Sequence, residues 1–260
     1  MPHNTDKNPT PPVMDELGRV LLAKTWIGFD LDDTLHEFRR ASGVATDEVL
    51  GAISGAHGVA HSQLKSEYSR ILRAGTANAF ADGKTSFQYR RERFASLLAA
   101  FSLPASDQDE MEKLLSLYED SLSAALELKP GAADLLALLK SLGKKIVIVT
   151  EGPQDAQERT VEALGIAEYV DFLATTNRFR TAKTDGMFGM VLAHLGISAR
   201  DMAYVGDNEK RDTTPAAAQG IFSILLDEAR ETSPASSPPR VNSLRVLHNC
   251  ILENATVPAA

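Results

Sequence analysis

Cysteine is nearly missing from this chain: Cys250 is the only one among 260 residues. No intrachain disulfide can form, so a reducing compartment is permitted and a cytoplasmic location is expected. A lone buried-type thiol near the end of the chain is expected to serve packing, not nucleophilic chemistry. No apolar run approaches the roughly 20 residues that span a bilayer. Residues Met1–Pro12 are polar and proline-rich and hold no signal-peptide core. No membrane role is expected. Positive charge is not in excess: 27 Lys and Arg face 35 Asp and Glu, a formal net charge of −8. That balance argues against nucleic acid as the main partner. The chain has no internal repeat and no Gly-x4-Gly-Lys-Ser/Thr loop of the kind that cradles nucleotide phosphates.

Apolar residues are plentiful, at 43%, enough for one core domain plus an inserted module. The most informative stretch is Phe29–Leu35, Phe-Asp-Leu-Asp-Asp-Thr-Leu, which follows Trp26-Ile27-Gly28. Alternate residues of an extended chain point the same way. Asp30 and Asp32 are therefore neighbours at a strand tip, where open α/β sheets place their ligands. Two close carboxylates repel unless a cation lies between them or they share a proton. A surface turn with a helix cap would use the same residue types, so the context decides.

Three later segments supply context. Lys145–Thr150 is a β-branched run closed by Gly152-Pro153, which reads as a buried parallel strand. Thr150 places a hydroxyl and the following N–H groups at its carboxyl edge. The helix before it, Ala132–Leu142, carries Leu135, Leu136, Leu139 and Leu142 on one face. Arg178–Asp185 is a basic loop between a strand near Tyr169–Thr175 and a helix near Gly186–Leu195. Its Lys183 would neutralise a bound phosphate. Met202–Gly206 is a short apolar strand ending in Gly206-Asp207, with Asp212 five positions on. Gly206 permits a tight turn, and Asp207 and Asp212 offer the oxygen ligands that Mg²⁺ prefers. A short helix over Pro215–Gly220 leads to a strand at Ile221–Leu225.

These four segments, in this order, resemble the haloacid dehalogenase-like (HAD) superfamily of phosphohydrolases, over roughly Trp26 to Leu225. The resemblance implies an α/β fold: a Rossmann-like three-layer core with a central parallel sheet, plus an inserted α-helical bundle cap. It implies Asp30 as nucleophile and Asp32 as general acid/base. Thr150 and Lys183 fall on catalytic positions that hold phosphoryl oxygens. Thr150, Glu151, Gly152 and Lys183 are thereby the expected substrate-binding residues. Mg²⁺ is the implied cofactor, held by Asp30, by the backbone carbonyl of Asp32 and by Asp207, with Asp212 supporting the site. The haloalkanoate-cleaving members lack an Asp at the position of Asp32, which favours phosphoryl chemistry here. The implied substrate is a small phosphorylated metabolite such as a sugar phosphate, a nucleoside monophosphate or phosphoglycolate. Phosphomutase-type transfer and a non-catalytic phosphate-binding role with the same fold stay open. Two departures stand out. The family's Lys-Pro-Asp-Pro is Lys183-Thr184-Asp185-Gly186 here, and its Asn before the last Asp is Arg211.

Residues 1–18 are expected to be disordered, 19–38 and 128–260 to form the core, and 39–127 the helical cap. Three apolar faces carry the cap expectation: Leu64, Tyr68, Ile71 and Leu72; Phe87, Phe94, Leu97, Leu98 and Phe101; Met111, Leu114, Leu115, Tyr118 and Leu122. His36, Arg39 and Arg40 are candidates for the site entrance. Of Arg90, Arg91 and Arg93, helical spacing lets one or two face it. Asp227–Pro239 reads as a loop and Val241–Leu252 as a closing helix, with the last residues frayed.

Overall fold

The computed structural model describes residues 11–75, 80–104 and 108–256. The expectations for residues 1–10 and 257–260 lie outside the described residues. Among these residues the centre is a six-stranded, all-parallel sheet: β1 (Trp26–Phe29), β2 (Lys145–Thr150), β3 (Phe172–Thr175), β4 (Met202–Gly206), β5 (Phe222–Leu226) and β6 (Arg240–Val241). The order is β3-β2-β1-β4-β5-β6. The chain builds outward from β1 on one side, then returns to build outward on the other. The strand order therefore reverses between β1 and β4, the crevice where such sheets bind ligands. Phe29 is in register with both Ile148 and Val205, and Asp30 continues the ladder with its N–H on the Val205 carbonyl at 2.9 Å.

The apolar run of β2 has a simple cause. Ile146 and Ile148 pack on one face of the sheet with helices α1 (Pro11–Leu22), α6 (Ala132–Ser141), α7 (Gln154–Ala163) and α11 (Leu244–Ala255). Val147 and Val149 pack on the other with α9 (Met187–Leu195) and α10 (Thr214–Ala218). A strand covered on both faces has no place for polar alternation.

Residues 11–18, expected to be disordered, belong to α1. Proline tolerates the first turn of a helix, where the N–H is unbonded anyway. Leu17 and Leu21 are then carried into the core, and the Cys250 thiol of α11 donates to the Met14 carbonyl. The closing helix begins at Leu244, later than expected, because Val241 pairs as β6 beside Leu226. The basic loop after β3 contains a short helix, α8 (Thr176–Phe179), capped by the Thr175 hydroxyl.

Between β1 and α6 the chain leaves the sheet and forms α2 (Phe38–His57), α3 (His61–Gly75), α4 (Ser86–Ala100) and α5 (Gln108–Ala125). These helices bury an apolar core of their own, separate from the two cores of the sheet. Ala41 and Ala45 are wholly buried on α2, and their small size lets α2 lie close along α5. Phe87 departs from the expected buried face: it is 40% exposed, with the Arg159 guanidinium 4.9 Å from its ring centroid. The two crossings pair with each other, Glu37 N–H on the Glu127 carbonyl and Lys129 N–H on the Leu35 carbonyl.

Leu21→Ala tests the docking of α1. Its side chain is 2% exposed, so truncation is expected to cost about 2–5 kcal/mol in denaturant unfolding. A change below about 1 kcal/mol would mean that α1 is not packed on the sheet.

Candidate active site

At the reversal point three segments distant in sequence converge on one buried cation. Lys183 Nζ donates to Asp30 Oδ1 and to Asp212 Oδ1, each at 2.6 Å. Lys183 is 2% exposed, Asp212 1% and Asp30 7%. Asp30 sits one residue beyond β1, Asp212 in a wide π-type turn after β4 (Glu209–Thr213), and Lys183 in a 3-10 turn. Tyr204 of β4 closes the cluster: its hydroxyl donates to the Val149 carbonyl at 2.9 Å and lies 3.2 Å from Asp212 Oδ1. The other Asp212 oxygen accepts the Asn208 N–H at 3.0 Å. Gly206 is needed here for close approach, since a Cβ on it would lie 2.6 Å from Asp212 Cγ.

Charge in this cluster is costly. Burial works to lower the Lys183 pKa, but the Asp30 and Asp212 carboxylates outweigh it and hold the ammonium charged. Burial pushes the Asp30 carboxyl well up; Lys183 pulls it back, while Asp212 and Asp32 push it further up. Asp207 is raised for the same reasons, burial first and then Asp212, with Arg39 opposing. One oxygen from each of Asp30, Asp207 and Asp212 lies within 4.8 Å of the others. An all-oxygen, like-charged donor set of this kind fits a hard divalent cation, which would relieve the repulsion.

Asp32 is held apart from that set. Its Oδ1 lies 2.9 Å from His36 Nε2, and its Oδ2 accepts from Gln157 Nε2 at 3.4 Å. Its side chain is absent from the acidic cluster, so any contribution to a cation would come from its backbone. Gln157, which no local pattern singled out, also takes a hydrogen bond from the Thr150 hydroxyl at 3.3 Å. Thr150 is wholly buried at the end of β2.

Asp30, Asp32, Thr150, Gln157, Lys183, Asp207 and Asp212 line one cavity of about 850 Å³ between the sheet edge and the bundle, along with Glu151 and Gly152. The last two line the cavity with part of their hydrogen-bonding capacity already taken. The Gly152 N–H is already bonded to the Thr176 hydroxyl at 3.1 Å. Glu151 accepts the Lys183 backbone N–H at 3.2 Å and forms an ion pair with Arg211. Arg211, the residue that departs from the family pattern, thereby clasps Glu151 across the site mouth.

The entrance candidates divide. His36 is wholly buried and is not part of the cavity wall. Arg39 pairs with Asp33 at 3.1 Å and lies 3.6 Å from Asp207, on the cavity wall. Arg40 pairs with Glu127 and is not part of the wall. Arg90 and Arg93 face the cavity, whereas Arg91 pairs with Glu112. Arg90 is engaged by Glu119. Arg93 lies about 6 Å from the Phe80 and Tyr89 ring centroids and has no carboxylate partner among the described residues.

A family model described as haloacid dehalogenase-like hydrolase matches residues 25–220. The chain belongs to the haloacid dehalogenase-like hydrolases. Among curated relatives, it is 24% identical over 223 residues to a ribulose-1,5-bisphosphate 5-phosphatase of Halopiger xanaduensis, covering 85% of this chain and 92% of that one. It is also 24% identical over 237 residues to a phosphoserine phosphatase of Thermus thermophilus, covering 83% and 94%. Its fold is similar to that of a HAD phosphatase from Thermococcus onnurineus, with a TM-score of 0.64 at 19% identity, covering 86% and 96%. A 2-haloacid dehalogenase from Pseudomonas syringae shares the fold as well, with a TM-score of 0.64 at 21% identity, covering 88% and 99%. This HAD-like hydrolase has no described helix long and apolar enough to cross a membrane.

Asp207→Ala should leave the fold intact, because its side chain is partly exposed and outside the Lys183 contacts. It is expected to weaken Mg²⁺ binding in calorimetric titration by at least the roughly 10–100-fold that loss of an outer-shell partner costs. An unchanged titration would remove Asp207 from the ligand set.

Proposed function

We propose that this enzyme is a Mg²⁺-dependent phosphatase that hydrolyses a small phosphate monoester through an aspartyl-phosphate on Asp30, with Asp32 as general acid/base. One observation carries the reading. Two carboxylates from one strand end face the same cavity in different settings, Asp30 on the Lys183 ammonium and Asp32 between His36 and Gln157. Paired groups in different environments are how one site assigns nucleophile and acid/base roles. The relatives named as phosphatases support the same reaction class.

Phosphate-monoester hydrolysis is among the slowest uncatalysed reactions, so on the order of 28 kcal/mol of barrier must be removed. In the first step an Asp30 oxygen attacks phosphorus and the ester P–O bond breaks. Asp32 gives its proton to the departing alkoxide. In the second step water attacks the aspartyl-phosphate, Asp32 takes the water proton, and inorganic phosphate leaves with Asp30 restored. Lys183 stabilises charge on the phosphoryl oxygens and draws the Asp30 carboxyl back toward its ionised form against burial. Asp30, Asp207 and Asp212, with the Asp32 carbonyl, would hold Mg²⁺, which supplies further positive charge beside the phosphoryl group.

The bundle acts as the cap that closes the cavity and selects the substrate. A space of about 850 Å³ is within the usual range for small-molecule sites and leaves room for an organic body beyond the phosphoryl group. Arg93 is the cation on that wall placed to meet a second polar or charged group of the substrate.

Phosphate release from a panel of phosphorylated metabolites, with Mg²⁺ and with chelator, tests this. Metal-dependent release is expected from wild type, with Asp30→Asn lowering kcat by on the order of 10³-fold or more while circular dichroism stays native. Substantial turnover by Asp30→Asn would assign the nucleophile elsewhere. Asp32→Asn is expected to lose roughly 10²–10⁴-fold on alkyl phosphates. In kcat/KM, which reports the first step alone, the loss should be much smaller on p-nitrophenyl phosphate, whose leaving group needs no proton. Equal losses on both would remove the acid role from Asp32.

A further inference from the structure

Among the described residues, two buried side-chain polar atoms lack a hydrogen-bond partner, Thr34 Oγ1 and His36 Nδ1. Both lie in the turn that follows Asp32. His36 is wholly buried, and its ring meets the Phe38 ring edge-on, with centroids 5.9 Å apart. Its backbone is clamped between Asp32 and Leu128 by β-type bridges, at the place where the chain crosses into and out of the bundle. The side chain has one polar contact, Nε2 to Asp32 Oδ1 at 2.9 Å.

The unpartnered nitrogen fixes the tautomer. With the hydrogen on Nδ1, a buried donor would point at no acceptor, and Nε2 would present a lone pair to a carboxylate oxygen. With the hydrogen on Nε2, the imidazole donates to Asp32 and leaves only an acceptor unfilled, which is the cheaper omission. Gln157 Nε2 approaches the second oxygen of Asp32 from the opposite side at 3.4 Å. The Asp32 side chain stays about one-fifth exposed, open to the cavity. One oxygen is thus tied down by a rigid buried ring while the other keeps a looser partner and faces the cavity.

We infer that His36 is the positioning residue of the proton-transfer step. Through its Nε2–H it locks the rotamer of Asp32, so that Oδ2 faces the oxygen of the leaving group and later the attacking water. This rests on the phosphatase reading above, with Asp32 as acid/base. His36 touches neither substrate nor the Asp30–Lys183–Asp212 cluster, so its removal should harm only steps in which Asp32 moves a proton.

The test compares His36→Leu with wild type on an alkyl phosphate and on p-nitrophenyl phosphate. For the alkyl ester kcat/KM, which reports the first step alone, is expected to fall by on the order of 10²-fold, the cost of about 1 Å of misplacement. For p-nitrophenyl phosphate the fall in kcat/KM should be several-fold at most. His36→Gln, which keeps an N–H near the position of Nε2, should restore most of the loss. In an Asp32→Asn background, His36→Leu should cost nothing further, since residues acting as a unit are not additive. If His36→Leu loses the native circular dichroism spectrum, His36→Asn replaces it, because its shorter amide falls short of Asp32 and the same readings apply. Equal losses on both substrates, or an undiminished loss in the Asp32→Asn background, would make His36 structural and overturn the inference. No release by wild type would overturn this inference and the phosphatase reading together. A leaving-group-dependent loss in Asp32→Asn without one at His36 would overturn the positioning role alone.

Discussion

Everything at the sheet edge is arranged around one buried ammonium. Lys183 carries its charge out of water and is compensated by two carboxylates at 2.6 Å. A buried ion of this kind is held only while its partners are, and removing one partner typically costs roughly 3–5 kcal/mol. The contact therefore fixes three segments at once: the end of β1, the turn after β4 and the loop after α8. Gly206 lets Asp212 approach, and Tyr204 bridges Asp212 to the end of β2. The same ammonium opposes, without overcoming, the burial that pushes the Asp30 carboxyl up.

That constraint explains why the second carboxylate of the strand end is treated so differently. If Asp32 joined the cluster, a fourth carboxyl side chain would crowd the same few ångströms. Instead its side chain is turned toward His36 and Gln157, two hydrogen-bonding groups outside the acidic cluster. Within three residues of one strand end, two carboxylates thus have separate supporting residues.

The bundle extends this division. It buries its own core and meets the sheet through paired crossing segments around Leu35–Glu37 and Glu127–Lys129. Much of the positive charge that faces the cavity is already matched, Arg90 by Glu119, Arg159 by Glu119 and Asp155, Arg211 by Glu151. These pairs shape the wall. They leave Arg93 as the cation on that wall with no carboxylate partner among the described residues.

By itself the sequence determined the parallel α/β core, the inserted helices and the short list of residues that line the cavity. Those features are written locally: apolar runs of strand length, 3–4 spacing, and Asp, Thr, Lys and Gly-Asp at element ends. The α1 helix was hidden by its two leading prolines, and the exposure of Phe87 by its perfect helical register. Only the tertiary structure decided which partner each polar group took. Gln157 reaching both Thr150 and Asp32, Arg211 turning to Glu151, and Gly152 spending its N–H on Thr176 join residues from separate elements. His36 and Asp32 are near in sequence, yet that ring is buried where Phe38 meets it edge-on and Leu128 pairs with its backbone. A local pattern records which chemistry is available; hydrogen-bond pairing and burial depend on where distant segments pack, and that is settled only when the sheet and bundle close on each other.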